Sequence, residues 1–413
     1  MDDLPRFTVE RLAWQDEPLG TITLPKGPLR LTRSFGSGLA RRASDPANEF
    51  WAIGDRGPNL KVKTLIKMYG AEQLAPLKSL PGAKVMPRPD VGPRLARLRI
   101  DGGRVELVES FNVTDRDGRP VSGLPMPGSA HFTNEPALTL DGERIPADSS
   151  GLDTEGLVAL DDGTFIFSEE FGPSLVRADA KGRVLGRYLP QGVEAPGARY
   201  PVHQTLPAIA ARRQLNRGFE AIAASADGAA LFVAFQSPLA HPDEEAHRNA
   251  RHVRLWRVDL ASMTVEAQFL YPLDPPESFR RDFAKDRIAW EDLKISELAA
   301  LADGSLLVLE RASETSKIYR TLPADADALS PEHLDVLTRP TVEELSGGGD
   351  CPLPVLDKQL LFSTDHAPEV AADLEGMIVL SPHELLLVND SDFGVEGAQT
   401  SFWKVTFADP VFG

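Results

Sequence analysis

A single cysteine, Cys351, among 413 residues excludes an intramolecular disulfide framework and any centre built from several thiolates. The chain has no apolar run of membrane-spanning length. Its first thirty residues lack the basic start, apolar stretch and small-residue cleavage site of a secretory leader. As written it reads as cytoplasmic and without membrane insertion; a periplasmic or secreted location applies if a leader has already been cleaved. Basic residues are in deficit, with 44 Lys and Arg against 61 Asp and Glu and a net charge of −17. Such a field repels nucleic acid and anionic membranes and attracts cations. The GxSxG, HExxH, P-loop and Rossmann fingerprints are all missing, which removes several common enzyme classes. Nothing in the composition identifies an oligomeric partner.

Apolar residues make up 42% and charged residues 25%, enough for a large core. The 34 Pro and 33 Gly are spread along the chain, and between them recur short apolar runs separated by Asp-Gly or Pro turns, the pattern of many short strands. Four segments align: TEGLVALDDGTFIFSEE from Thr154, FEAIAASADGAALFVAFQ from Phe219, SELAALADGSLLVLER from Ser296 and LEGMIVLSPHELLLVND from Leu374. A degenerate unit precedes them, with SFGSGLARR from Ser34 and EFWAIGDRGP from Glu49. Each reads as strand, turn, strand, and two further strand-like runs follow in most units. The fold expected is an all-β, single β-propeller domain over 1–413, with five or six four-stranded blades closed by N- and C-terminal strands sharing a blade. Insertions near 59–93, 191–217, 240–250, 275–294 and 322–350 read as surface loops, with short helices expected at 206–215 and 280–293.

Each of the four aligned units has Glu as its second residue: Glu155, Glu220, Glu297 and Glu375. Regular antiparallel pairing folds Glu155 against Glu169, Glu297 against Glu310, Glu375 beside Asn389 and Asp390, and Glu220 toward Phe235 and Gln236. Asp55 ends the equivalent strand of the first unit. The first strand of a blade lines the central channel, so these corners converge on one rim, where gathered carboxylates repel one another unless a cation neutralises them. Asp55, Glu155, Glu220, Glu297, Glu375 and Asp390 are the candidate ligands. An oxygen-only set suits calcium, or manganese or magnesium, better than zinc or copper. Any one Glu at a strand start is ordinarily a solvated rim residue; the recurrence carries the metal reading. Arg56, in the GDRGPN turn, is the candidate clamp for a substrate anion, with pairing to a rim acid as the equal alternative. Gln236 joins it as a substrate-binding candidate. Of the doubled Glu169 and Glu170, only one reaches the channel, since adjacent strand residues face opposite ways. His131, Asn134, Glu135, Asp365 and His366 are further proton-carrier candidates, set against the rule that lone loop histidines are most often merely solvated.

DTEGLVALDDGTFIFSEEFGPSLVRAD, GFEAIAASADG with FQSPL, and FWAIGDRGP resemble the phytase-like esterase family of bacterial propellers over nearly the whole chain. The resemblance implies a calcium-associated propeller that hydrolyses a phosphoester or other ester of a small molecule. It carries the family's acid positions onto Glu155, Glu169, Glu220, Glu297, Glu310, Glu375 and Asp390, and its DRG turn onto Asp55 and Arg56; Gln236 departs from the acid pattern. As a hydrolase, the expected base is Glu169 or Glu310, with Arg56 steadying developing negative charge. The alternatives are a non-catalytic binding scaffold with a structural axial metal, and a lactone hydrolase.

Overall fold

The hairpins of this chain are set by a repeated turn chemistry. In the turns ending at Gly163, Gly228 and Gly304 the glycine has φ of 88°, 70° and 86°, a conformation that other residues adopt only with strain. The preceding Asp162, Asp227 and Asp303 accept the backbone N–H two residues on at 2.8, 3.0 and 3.0 Å. Each turn closes a pair of strands, and the pairs build outward into sheets.

A computed structural model describes residues 4–129, 132–348 and 350–412; His131 lies outside the described residues. Among these residues, five sheets carry the architecture. Sheet I holds Gly38–Ala40, Glu49–Gly54, Arg94–Asp101 and Arg104–Asn112. Sheet II holds Thr154–Ala159, Phe165–Glu169, Ser174–Ala178, Val184–Pro190 and an added edge strand, Val202–Leu206. Phe219–Ala224, Ala230–Phe235, His252–Asp259 and Thr264–Pro272 form sheet III. Lys294–Ala300, Leu306–Arg311, Ser316–Thr321 and Lys358–Ser363 form sheet IV. Sheet V orders Leu374–Ser381, Glu384–Asn389 and Phe402–Phe407, with the N-terminal strand Phe7–Leu12 on its outer edge.

The first strands of the five sheets touch in sequence, I to II, II to III, III to IV and IV to V, and the first strand of V returns to that of I. They line one small shared cavity of about 200 Å³. The all-β chain is therefore arranged in the manner of a propeller. Its second strands are buried on both faces, which explains their near-continuous apolar runs. Apolar layers fill the gaps between neighbours: Trp51 meets Phe165 edge-on between I and II, and Phe50 meets Phe402 between I and V.

Among the described residues the α-helices all lie in the insertions, and helical turns outside them occur at Thr364–His366 and Asp392–Gly397. The short strands Leu60–Lys61, Lys84–Val85 and Ala137–Leu138 form a small separate sheet that shares one apolar cluster with helix Val62–Tyr69. The two expected helices shrink to single turns at Ala208–Arg212, Arg280–Lys285 and Trp290–Asp292. Among the described residues no helix is long and apolar enough to cross a membrane.

One regularity differs from simple pairing. The first two strands of sheets II to V slip by one residue near their starts, after Thr154, Phe219, Ile295 and Leu374. Hence Thr154, not Glu155, pairs with Glu169; Phe219, not Glu220, pairs with Phe235; Ile295, not Glu297, pairs with Glu310; and Leu374, not Glu375, pairs with Asn389. An extra residue on one strand of a pair is a β-bulge, and it re-aims the side chains around it.

Candidate functional site

Registering the sheets on these bulges gives two rings at one mouth of the axis. The first strands contribute Ser37, Glu155, Glu220, Ser296 and Glu375, and the ends of the second strands contribute Asp55, Glu170, Gln236, Arg311 and Asp390. Glu155, Glu220, Glu375, Asp55, Asp390 and Gln236 thus stand where the sequence places them, at equivalent corners. Three expected members fall one residue out of phase.

Glu297 belongs to the layer below, opposite Gly38, Gly156, Ala221 and Gly376. A side chain on Gly38 would meet the Glu155 carbonyl at 2.6 Å, and one on Gly156 the Glu220 carbonyl at 2.7 Å. Four small residues leave room on the axis for one long carboxylate. Its oxygens accept the backbone N–H of Leu39 at 3.3 Å and of Leu298 at 3.0 Å, and a further backbone bond comes from Met377. Burial pushes its carboxyl well up.

Glu169 turns into sheet II. It accepts Arg187 Nη2 at 2.5 Å, Ser174 Oγ at 2.7 Å and the backbone N–H groups of Asp153 and Phe171 at 3.2 and 3.1 Å. Glu310 lies between sheets III and IV, bonded to Lys358 Nζ at 2.6 Å, Tyr271 Oη at 3.0 Å and the Asp274 N–H at 2.7 Å. Both carboxylates are saturated by internal donors, which suits a packing role rather than a base. At the corners where they were expected stand Glu170 and Arg311. Asp365 and His366 line a separate off-axis cavity of about 320 Å³, and Asn134 bonds Met126 and Arg213.

Asp153, just ahead of the first strand of sheet II, completes the acidic side. Oxygens of Asp153, Glu155 and Glu170 lie within 4.8 Å of one another; Asp153 and Glu170 are buried and Glu155 is partly exposed at the mouth. Arg56 sits behind them as a counter-ion: its Nη1 is 2.5 Å from Glu135 and 3.3 Å from Asp153, and Nη2 donates to Asn216 at 2.9 Å. The rim-acid alternative for Arg56 is the one realised. Opposite, Arg311 bonds Ser296 Oγ at 2.8 Å and Asp373 at 2.9 Å and contacts Glu375. Lys294 and Arg217 stand near it; burial, then Arg311 and Arg217, hold Lys294 below its ordinary value, and burial holds Arg217 below its own against the pull of Asp292, Glu170 and Glu220.

The acids behave as a crowded set. Burial, then Glu220, Asp153, Glu170 and Glu375 together, push the Glu155 carboxyl well up. Glu220 is pushed up to about 7 by burial and Glu170, Glu375 to about 8 by burial and Glu220, and Asp390 to about 8 by burial and Glu375. Buried Asp55 and Asp153 are likewise raised. Ser34 Oγ donates to Asp390 at 2.5 Å, yet buried Glu220 Oε2 has no hydrogen-bond partner, and Asp153 Oδ2 has only the Arg56 guanidinium nearby. A hard divalent cation fits this donor set: oxygen ligands only, several carboxylates converging, two orphaned buried oxygens and one partly open side.

Sequence reasoning missed Asp153, Arg311 and Lys294, and did not pair Glu135 with Arg56. Aligning the units from the Asp-Gly turn backward, instead of from the Glu forward, puts Ser296 in the Glu column and Arg311 in the column of Glu170 and Asp390.

A curated relative, an "Uncharacterized secreted protein" of Arthroderma benhamiae, is 28% identical over 354 residues; these are 74% of this chain and 65% of the relative, so the chain spans under two thirds of that protein's length. Among solved structures, a luciferin-regenerating enzyme aligns over 98% of this chain and 96% of its own at 12% identity and a TM-score of 0.36. A gluconolactonase from Xanthomonas campestris aligns over 98% of this chain and all of its own (100%) at 9% identity and a TM-score of 0.35. The sequence profile of the family described as "Phytase-like: Esterase-like activity of phytase" matches residues 34–393, from the first axial strand to the last axial corner, and the chain belongs to that family.

Proposed function

We propose that the axial mouth is the hydrolytic site of a metal-dependent esterase or phosphoesterase acting on a small molecule, with calcium as the first cation to test. On this reading residues 1–413 are a single five-bladed propeller whose ring is closed by Phe7–Leu12. Asp153, Glu155 and Glu170 would hold the cation, and Glu220, Glu375, Asp55 and Asp390 supply surrounding negative charge. A cation bound there supplies Lewis-acid polarisation of an ester oxygen and a lowered pKa for water. Glu220, with one orphaned oxygen and the other held by Gln236, is placed to accept a proton from water at the mouth. Lys294 and Arg311 face the acids and can steady negative charge that develops on the scissile group.

The observation that carries this reading is the convergence of Asp153, Glu155 and Glu170 within 4.8 Å with Glu155 partly open to solvent. That open side favours a working cation over a closed staple between sheets. The test is metal content and hydrolysis of phosphoester, carboxyl-ester and lactone substrates, for the intact protein and for Asp153→Asn/Glu170→Gln. Stoichiometric divalent metal and a hydrolytic activity, both lost in the double variant, are the expected result. Activity that survives removal of divalent ions would sink the proposal.

A further inference from the structure

Lysine is scarce and unevenly placed: five of its twelve occurrences, Lys61, Lys63, Lys67, Lys78 and Lys84, fall within 24 consecutive residues of a chain with net charge −17. Folding gathers four of them. Lys61, Lys63, Lys78 and Lys84 line one cavity of about 430 Å³ between helix Val62–Tyr69 and the turn at Gly82. Its one acidic lining residue is Glu135, and that carboxylate is already engaged by Arg56 at 2.5 Å. Lys84 Nζ is 3.9 Å from Glu135 and donates to Asn59 at 3.0 Å. Among the described residues no carboxylate oxygen lies within 4.0 Å of Lys61, Lys63 or Lys78. The cavity is therefore an island of uncompensated positive charge in an acidic protein.

Its position gives that charge a use. Glu135 forms part of the cavity wall and pairs with Arg56, and the same Arg56 nitrogen is 3.3 Å from Asp153 of the carboxylate cluster. Two side-chain contacts separate the lysine cavity from the axial site. Ammonium groups of exposed lysines bind phosphate and carboxylate as point charges. A cavity of a few hundred Å³ is of small-molecule size.

We propose that this cavity is an anion-binding subsite that seats a phosphate or carboxylate of the ligand whose ester is presented at the axis. The inference rests on the hydrolytic reading for the second half of that statement only. It makes the ligand bipolar in its demands: one end addresses a cation held by carboxylates, the other addresses lysines.

The test uses the full chain dialysed free of divalent ions, the triple variant Lys61→Glu/Lys63→Glu/Lys78→Glu, and two probes, pyrophosphate and succinate, titrated calorimetrically. The three lysines are exposed, so the variant is expected to fold with an unchanged melting temperature. Binding of at least one probe, weakened tenfold or more in the variant and by added salt, is the expected result, and the preferred probe distinguishes phosphate from carboxylate. Hydrolysis of a 4-nitrophenyl ester of succinate is then compared with that of 4-nitrophenyl acetate. The variant should raise KM about tenfold for the charged ester alone, with kcat unchanged. Failure of both probes to bind, or equal binding by the variant, overturns the subsite. Probe binding that the variant loses, in a protein that hydrolyses neither ester, upholds the subsite while the hydrolytic reading falls.

Discussion

Remove divalent cations from this protein and raise the pH from 6.5 to 8: its stability should fall, against the trend of most carboxylate effects. Glu375 and Asp390 each have a carboxyl pushed up to about 8. A carboxyl raised on folding contributes its full stability only below its unfolded value, and gives it up as pH climbs toward the folded one. Each such group forfeits about 1.36 kcal/mol per pH unit in that interval, so over the window one of this mutually repelling pair yields about 2 kcal/mol. Both together give about 4 kcal/mol if they act independently. At about 2–4 °C per kcal/mol for a large domain, one group alone lowers Tm by about 4–8 °C. Opposing titrations take back only part of this loss. His252 is held down to about 4 by burial, so it still adds about 0.4 kcal/mol above pH 6.5 while the remaining half of its unfolded form loses the proton, and the lowered His241 and His247 act in the same direction. Asp274, held to about 2 by Lys358 and Lys317 against its burial, finishes before the window opens. Millimolar calcium should flatten the slope, because a bound cation removes the repulsion that raised the acids. Scanning calorimetry in chelator and in calcium measures both slopes. A chelated protein whose Tm changes by less than 2 °C across the window, or the same slope with calcium present, would refute the crowded-carboxylate argument.

Three further outcomes follow from the geometry. Asp153→Asn and Glu170→Gln should each weaken calcium binding at least tenfold with little effect on the Tm of the chelated protein, measurable by titration calorimetry. Glu169→Ala, one position away, should instead cost about 3–5 kcal/mol in urea denaturation, because it strands the fully buried Arg187 guanidinium. Glu297→Ala should cost about 3 kcal/mol, since it orphans the N–H groups of Leu39, Leu298 and Met377, each worth about 1–3 kcal/mol when buried without a partner. The buried carboxyl's own desolvation offsets part of that cost. A Glu297→Ala protein as stable as its parent would mean that desolvation outweighs the three bonds.

The architecture was legible because the same short code recurs. Asp-Gly turns fix hairpins at regular intervals, and the doubly buried second strands announce themselves as unbroken apolar runs. The axial acids Glu155, Glu220 and Glu375 were legible for the same reason. What the sequence hid was a one-residue phase. A bulge leaves no mark on composition, so regular pairing assigned Glu169 to the corner that Glu170 occupies and Glu310 to that of Arg311. Glu297 was drawn into the ring by an alignment anchored on its own identity; the shorter run to Gly304 shows that it sits one residue nearer the turn. The lysine cavity was hidden differently. Its members come from a strand, a helix and a loop of one insertion, and only the fold of that insertion brings them to one wall.

The strand Phe7–Leu12 pairs with Phe402–Phe407 along its whole length, from Phe7 against Phe407 to Leu12 against Phe402. During synthesis the first of these segments is made roughly 400 residues before the second, and at about 5–20 residues per second the wait is about 20–80 s. For that interval an apolar strand carrying Phe7, Val9 and Leu12 has no sheet to join. Its exposed glutamate and arginine, Glu10 and Arg11, punctuate the segment in the way that discourages edge-to-edge association. The outer edge of sheet V can therefore be completed only after the last of its strands has been made, which leaves its N-terminal strand the longest-waiting member of that sheet.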